Sequence, residues 1–252
     1  MDDSILSSLF PFGKRKNILI AAAVYEEIEP LLGFYGDFEK SVVGRKYLYI
    51  PDIHDQSIRI LVTGPGMINA SQGLTAAIES EKPDLIIQTG CAGVFRNRGI
   101  GIGDVAVATK ERDIHLGVES GDRFEPPAAL PFNIPGTVKN GDVEICAALS
   151  EFCFKSIFDS EKDFNLSKGP FITVSTVTST EERASLLDKW YSPVMESMEG
   201  AATAQVSGIY GIPYAEVRSA SNFVGKRDKS SWNLPLAFRN ASAAITMILK
   251  RF

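Results

Sequence analysis

The chain has 252 residues, 44% of them hydrophobic and 23% charged, and its 26 Lys and Arg against 31 Asp and Glu leave a formal net charge of −5. That balance supplies no positive field for the phosphates of DNA or RNA and none for an acidic membrane surface, so neither is expected as a partner. Two histidines, His54 and His115, and three cysteines, Cys91, Cys146 and Cys153, occur without C-x-x-C or H-x-x-x-H spacing, which excludes zinc ribbons, zincins and a disulfide framework and leaves acid–base chemistry mainly to carboxylates.

In chain order, residues 1–16 read as an extension. Asp2 and Asp3 precede a short apolar run and Lys14, Arg15 and Lys16 follow it, the reverse of a secretory signal's order. No apolar stretch reaches the roughly 18 residues of a membrane-spanning helix. With no signal and three thiols outside any pairing pattern, a cytoplasmic protein is expected. Short β-branched apolar runs then alternate with stretches of helical period. Strands are predicted at residues 17–23, 57–63, 84–89, 103–109, 171–177 and 213–219, and helices at 26–32, 68–80, 142–154, 181–189, 199–209 and in a last segment ending near Leu249. The alternation marks an α/β layer fold, and strands apolar almost throughout call for helices on both sheet faces. Pro126, Pro127, Pro131 and Pro135 exclude a helix from 122–136 and predict a surface excursion there, of the kind that serves as a lid or a subunit contact. With no internal repeat and no Gly/Ser linker, residues 17–252 are expected to form one domain.

Two predicted strands end in glycine-bearing turns, Thr63-Gly64-Pro65-Gly66 and Thr89-Gly90-Cys91-Ala92-Gly93. At the carboxyl ends of strands, glycines let backbone groups approach a ligand, although they also serve as plain tight exits. A dinucleotide fingerprint needs glycine at position 69, which is Asn69, and no Walker lysine follows, so neither a nicotinamide cofactor nor ATP is expected.

Glu26, Glu27 and Glu29 fall in the first turn of the helix after the first strand. Acids there complement the helix dipole; alternatively, one of them turns back into a pocket while the others are solvated. Met198 and Glu199 precede the small-residue run Gly200-Ala201-Ala202. Glu199 is either a helix-start acid or an acceptor for two vicinal hydroxyls, a task that suits an ionised carboxylate. Ser221 and Asn222 follow the last predicted strand, where Asn is either a turn former or a donor–acceptor pair for the edge of a heterocycle. Arg218 shares a strand face with Glu216 and Ala220 and is expected in an ion pair rather than at a reacting atom.

Taken in order, Ala23-x-x-x-Glu27, Thr63-Gly64-x-Gly66-x-x-Asn69-Ala70, Thr89-Gly90-Cys91-Ala92-Gly93, Gly103-Asp104-Val105, Met198-Glu199-Gly200-Ala201-Ala202 and Ser221-Asn222 resemble the motifs of the nucleoside phosphorylase and nucleosidase superfamily, from about Asn17 to the C-terminus. The resemblance implies a three-layer α/β/α sandwich around a twisted mixed sheet and cleavage of an N-glycosidic bond. It implies no cofactor and no metal, a small-molecule purine nucleoside as partner, and a homodimer.

Phosphorylases of the group carry a Gly-x-Pro-x-Arg-type segment after the first strand. Here Tyr25-Glu26-Glu27 occupies that place and would repel phosphate, so the resemblance points to the hydrolytic branch, with Glu27 activating water. Adenine-cleaving members carry Ser-Asp where this chain has Ser221-Asn222. A 6-oxopurine offers acceptors at O6 and N7, which suit an amide NH₂ better than an ionised carboxylate, so hypoxanthine or guanine is the implied leaving base. The resemblance further assigns Asn222 to the base, Glu199 and Met198 to the sugar, and backbone groups at Val177 and Thr178 to the base pocket. Cys91, where related nucleosidases commonly have serine, and Ala92 belong to the turn on the substrate side. An adenine-cleaving nucleosidase, a phosphorylase and a catalytically silent nucleoside-binding protein are the competing readings; Glu27 and Glu199 together speak against the last.

Overall fold

Side chains of successive strand residues point to opposite faces, so a strand that is apolar at every position needs cover on both. In β1 (Asn17–Ala22) this division is direct: Ile18 and Ile20 join one buried apolar cluster and Leu19 the other. The computed structural model describes residues 16–52, 57–121, 124–135 and 141–252. Residues 1–15 of the predicted extension, His54, and positions 122–123 and 136 of the proline-rich excursion lie outside the described residues.

After β1 the chain runs through α1 (Tyr25–Tyr35), β2 (Phe38–Val43), β3 (Lys46–Pro51), β4 (Ser57–Val62), α2 (Met67–Ser80), β5 (Leu85–Val94), β6 (Val105–Arg112), β7 (Asp142–Val143), α3 (Ala147–Phe158), β8 (Leu166–Thr173), α4 (Glu181–Tyr191), β9 (Met195–Ser197), α5 (Gly200–Ile209), β10 (Tyr214–Phe223) and α6 (Leu234–Leu249). The sheet is mixed, with strand order β10-β6-β8-β9-β5-β1-β4-β3-β2 and an additional β5–β10 pairing. Helices α1, α3 and α6 pack on the face carrying Ile18 and Ile20, and α2 and α5 on the face carrying Leu19. Among the described residues, no helix is long and apolar enough to cross a membrane.

The feature that positions the site is the changing company of β5. Its first residues pair with β1, from Ile18 opposite Leu85 to Ala21 opposite Gln88. Its last two, Gly93 and Val94, pair instead with Glu196 and Met195 of β9. Along its other edge β10 accompanies it from Ile86 to Val94. Strands β5, β10, β6, β8 and β9 thereby close a ring. A strand that exchanges one neighbour for another opens a crevice at its carboxyl end, the usual place for a ligand in an α/β sheet.

Several predicted boundaries move. The strand predicted at 84–89 continues to Val94, because Cys91 and Ala92 still pair with Ser219 and Ala220 of β10. Thus Gly90-Cys91-Ala92-Gly93 is strand rather than turn. Strand β10 likewise runs on to Phe223, with a bulge between Ala220 and Asn222, so Ser221 and Asn222 lie within it. The strand predicted at 171–177 occupies Leu166–Thr173, since its partner β6 engages it from Leu166 onward. The helix predicted from 142 starts at Ala147, because Asp142 and Val143 pair with the end of β6. The β2–β3 hairpin, β7 and β9 are additions to the predicted set. The hairpin closes through Gly44 and Arg45, whose φ values of 55° and 65° are both positive, as a type I′ turn requires. No helix occurs in the described part of the proline-rich excursion, 124–135.

Candidate active site

Glu27 is the third residue of α1 and reaches back over the helix start. Its Oε2 accepts from the backbone N–H of Ala23 at 2.8 Å and of Val24 at 3.3 Å, the reach of a capping-box glutamate. Its Oε1 accepts from the N–H of Cys91 at 2.9 Å, tying α1 to β5. Glu27 is buried, while Glu26 and Glu29 are exposed, so of the three acids at this helix start one turns inward. Burial pushes its carboxyl above the ordinary range and the nearby charge of Glu199 adds to this; Arg218 and the N–H groups of Cys91 and Ala23 oppose it.

Gly90 makes room for this carboxylate. Its φ is +133°, and a Cβ there would run into the Glu27 carboxyl group. Gly90→Ala is therefore expected to displace Glu27 and to lower stability by roughly 2–4 kcal/mol, combining backbone strain with overpacking. Denaturant titration and turnover of the same variant check both effects.

Glu199 is the N-cap residue of α5 and is buried. Its Oε1 accepts from the N–H of Gly66, at the start of α2, at 2.9 Å, and its Oε2 from Arg218 Nη2 at 3.2 Å. Arg218 is 1% exposed. It also donates through Nε to Glu216 Oε1 at 2.8 Å and through Nη1 to the Cys91 carbonyl at 3.3 Å. Burial alone would lower the guanidinium's pKa, but Glu216, Glu199 and Glu27 outweigh it and hold it charged. The ion pairing expected of Arg218 is thus present, and it is double.

Asn222 is half-buried on β10 beside Gly93. Its Oδ1 accepts from Ser221 Oγ at 2.8 Å and its Nδ2 donates to the Phe223 carbonyl at 3.0 Å. Ser221 Oγ lies 3.2 Å from the Ala92 carbonyl. Ala92 is buried and Cys91 half-buried. Burial, with the charge of Glu27 second, raises the Cys91 thiol so far that it is neutral and no nucleophile. Met198 packs partly buried against the cluster that holds Phe95, Ile172, Leu187 and Val224.

In the stretch whose backbone groups are expected in the base pocket, the Thr178 N–H donates to Glu196 Oε1 at 2.9 Å, and Thr178 Oγ1 donates to Glu196 Oε2 at 2.5 Å. Val177 lies half-buried on the same loop between β8 and α4. Glu196 is a buried acid that sequence reasoning did not single out. Its signal is a charge set among apolar residues in Val194-Met195-Glu196-Ser197-Met198, a place where an unpaired acid is rare. Burial raises its carboxyl, against the Thr178 bonds and Arg183. Arg183 also lines a cavity of about 580 Å³ together with His115 and Trp190; none of the sequence-predicted site residues lines it. Glu111, buried behind Glu216, was not anticipated either.

The sequence profile of the Phosphorylase superfamily matches residues 17–252. A 5′-methylthioadenosine/S-adenosylhomocysteine nucleosidase from an Exiguobacterium species is 27% identical over 236 residues, covering 92% of this chain and 97% of its own. Among solved structures, a Helicobacter pylori 5′-methylthioadenosine/S-adenosylhomocysteine nucleosidase with butyl-thio-DADMe-Immucillin-A superposes with a TM-score of 0.83 at 21% identity, covering 94% of this chain and 99% of its own. The native futalosine hydrolase of Helicobacter pylori gives 0.83 at 20% identity, covering 94% and 98%. These two likenesses establish the fold, and the profile match establishes the kinship: the chain belongs to the Phosphorylase superfamily.

Proposed function

We propose that this enzyme is a hydrolytic purine nucleosidase acting on futalosine, which it cleaves with water to hypoxanthine and dehypoxanthine futalosine in menaquinone biosynthesis, as a cytoplasmic homodimer. The observation that carries this reading is a neutral amide, Asn222, set beside Gly93 of β5, with two buried carboxyl groups, Glu27 and Glu199, tied to Cys91 of the same strand directly and through Arg218. Both acids bind backbone N–H groups of strand-end or helix-start segments and share the field of Arg218.

Breaking an N-glycosidic bond passes through an oxocarbenium-like sugar, so the base must be drawn off, the cation stabilised and water placed on the opposite face. Each Glu199 oxygen accepts one protein hydrogen bond and keeps a lone pair for the 2′ and 3′ hydroxyls. Its charge then lies against the forming cation. Glu27, fixed by three N–H groups, orients the water and takes its proton. The Asn222 amide donates to O6 or N7 of the departing base. An amide transfers no proton, so hypoxanthine leaves hydrogen-bonded as an anion and is protonated by solvent. Arg218 is committed to Glu216, Glu199 and the Cys91 carbonyl, which leaves it unsuited to holding phosphate. For the carboxylate beyond the 5′ position of futalosine, Arg227 is the candidate: its guanidinium lies 5.3 Å from the ring centroid of Trp232.

A second reading, an adenine-releasing nucleosidase, is favoured by the name of the Exiguobacterium relative. Incubation with futalosine, inosine and methylthioadenosine, each with and without phosphate, separates the two once the released base and sugar are identified. Hypoxanthine from futalosine in phosphate-free buffer supports the proposal. Adenine from methylthioadenosine with futalosine untouched overturns it in favour of the second.

A further inference from the structure

Arg218 links Glu199 to a second pair of acids that the reaction scheme above does not use. Glu111 of β6 and Glu216 of β10 are both fully buried. Gly200, at the start of α5, shows how close they stand, since a Cβ on it would collide with Glu111 Oε1 and Glu216 Oε2 at once. Glu216 is fully engaged: Oε1 accepts from Arg218 Nε at 2.8 Å and Oε2 from Tyr214 Oη at 2.9 Å. Glu111 Oε2 accepts from Thr173 Oγ1 at 2.8 Å and from the Arg112 N–H at 3.0 Å, but Glu111 Oε1 has no donor.

A buried carboxylate oxygen without a donor is costly, and two adjoining carboxylates do not both ionise beside one guanidinium that a third also uses. A proton on Glu111 Oε1, donated to Glu216 Oε2, resolves both conflicts. The surrounding charges agree. Tyr214, its phenol raised by burial, stays a donor and is itself in contact with Thr203 Oγ1 at 3.0 Å. The side chains of Arg112 and Lys110 are taken by Asp142. Gln88, opposite Glu216 on β5, is neutral. Glu27 and Glu199 lie across Arg218 and add negative charge. Burial, followed by Glu216, raises the Glu111 carboxyl well above its ordinary value.

We propose that Glu111 and Glu216 share one proton at neutral pH and act through Arg218 as positioning residues for Glu199. Glu216 neutralises the guanidinium and leaves Glu199 a net negative charge for the sugar cation. The catalytic half of this inference rests on the reading of Glu199 as the ribose ligand; the shared proton does not.

The full chain carrying a carbon-13 label at glutamate Cδ tests the proton directly. At pH 7 the wild type is expected to show a carboxyl signal at the protonated position that disappears in Glu111→Gln and persists in Glu27→Gln. Absence of a protonated signal belonging to Glu111 overturns the shared proton. Stability gives a second reading. A carboxyl raised in the folded state contributes stability that is complete below its unfolded value, ordinarily 4.5, and is lost as pH rises toward the folded value. Glu111→Gln keeps a donor toward Glu216 without that loss, so its melting temperature should climb relative to the wild type as pH rises above 4.5. A gap that stays constant with pH overturns the proposal.

For the positioning role, Glu216→Gln is expected to lower kcat roughly tenfold to a hundredfold with a smaller change in KM, less than removal of a directly contacting group. Glu111→Gln should recover most of the activity that Glu111→Ala loses. A Glu216→Gln enzyme that melts lower with kcat unchanged overturns the role and leaves only a structural pair. Should the nucleosidase reading itself fail, the wild type would release no base from any nucleoside tested, while the carbon signal would be unaffected.

Discussion

Glu27→Gln is expected to cut hydrolysis by about 10² to 10⁴, the usual worth of a positioned general base. The substitution changes one atom, but that atom faces a cage of donors. The Glu27 carboxylate accepts from the N–H groups of Ala23 and Val24 on one oxygen and of Cys91 on the other, so whichever way the glutamine amide turns, its NH₂ meets an N–H. A loss of stability of about 1–3 kcal/mol should accompany the loss of turnover, as when a buried donor is left without an acceptor. The pH profile distinguishes a base from a mere structural acid. Because burial holds the Glu27 carboxyl above 4.5, the wild type should gain activity with rising pH along a limb that lies above that value. In Glu27→Gln the limb should vanish, because no proton remains to be lost. Turnover unchanged by the substitution would remove Glu27 from its proposed role.

Asn222→Asp is expected to move the preference between 6-oxopurine and 6-aminopurine nucleosides by roughly 10²-fold toward the latter, a modest share of what a site built around hydrogen bonds discriminates. Aspartate can still accept from Ser221 Oγ, but it puts a carboxylate oxygen where Asn222 Nδ2 now donates to the Phe223 carbonyl. Two oxygens facing each other favour a protonated carboxyl, and a protonated carboxyl is a true acid for N7. Its negative form would in turn repel O6. Comparing kcat/KM for inosine and methylthioadenosine in both proteins decides the matter. An unchanged ratio would show that specificity is set elsewhere in the pocket.

Local pattern made much of this legible in advance. The apolar β1, the acids at the start of α1 and the small-residue run at the start of α5 each carry their own signal in a few consecutive residues. The inward turn of Glu27 follows from its place at the third position of the helix. What escaped depends on partners distant in sequence. Glu111 stands next to last in β6 between Lys110 and Arg112, with no apolar neighbour in sequence to mark it as buried. Only the antiparallel pairing of β6 with β10 brings it to Glu216, 105 residues further on. Strand β9 has three residues, too few to display an alternation, and so Glu196 passed as one acid among several. The β2–β3 hairpin turns through Gly44 and Arg45 rather than the Asn-Gly or Asp-Gly usual for two positive φ values. The predicted strand ends fall short of Gly93 and Asn222 because glycine and asparagine are ordinary turn residues; here, ring closure by β9 and β10 keeps them paired.

The donorless oxygen of Glu111 also has a consequence for how such a sequence changes over generations. Replacing Glu216 by an aliphatic residue removes the acceptor for the Glu111 proton and the partner of Arg218 Nε, and replacing Glu111 alone leaves Glu216 Oε2 with Tyr214 as its one remaining donor. Each single step is penalised, and losing both acids together still leaves the buried Arg218 Nε without its partner. Positions 111 and 216 should therefore be inherited as a unit. Descendants should keep both acids, and an intermediate carrying one should survive only where the protein has stability to spare.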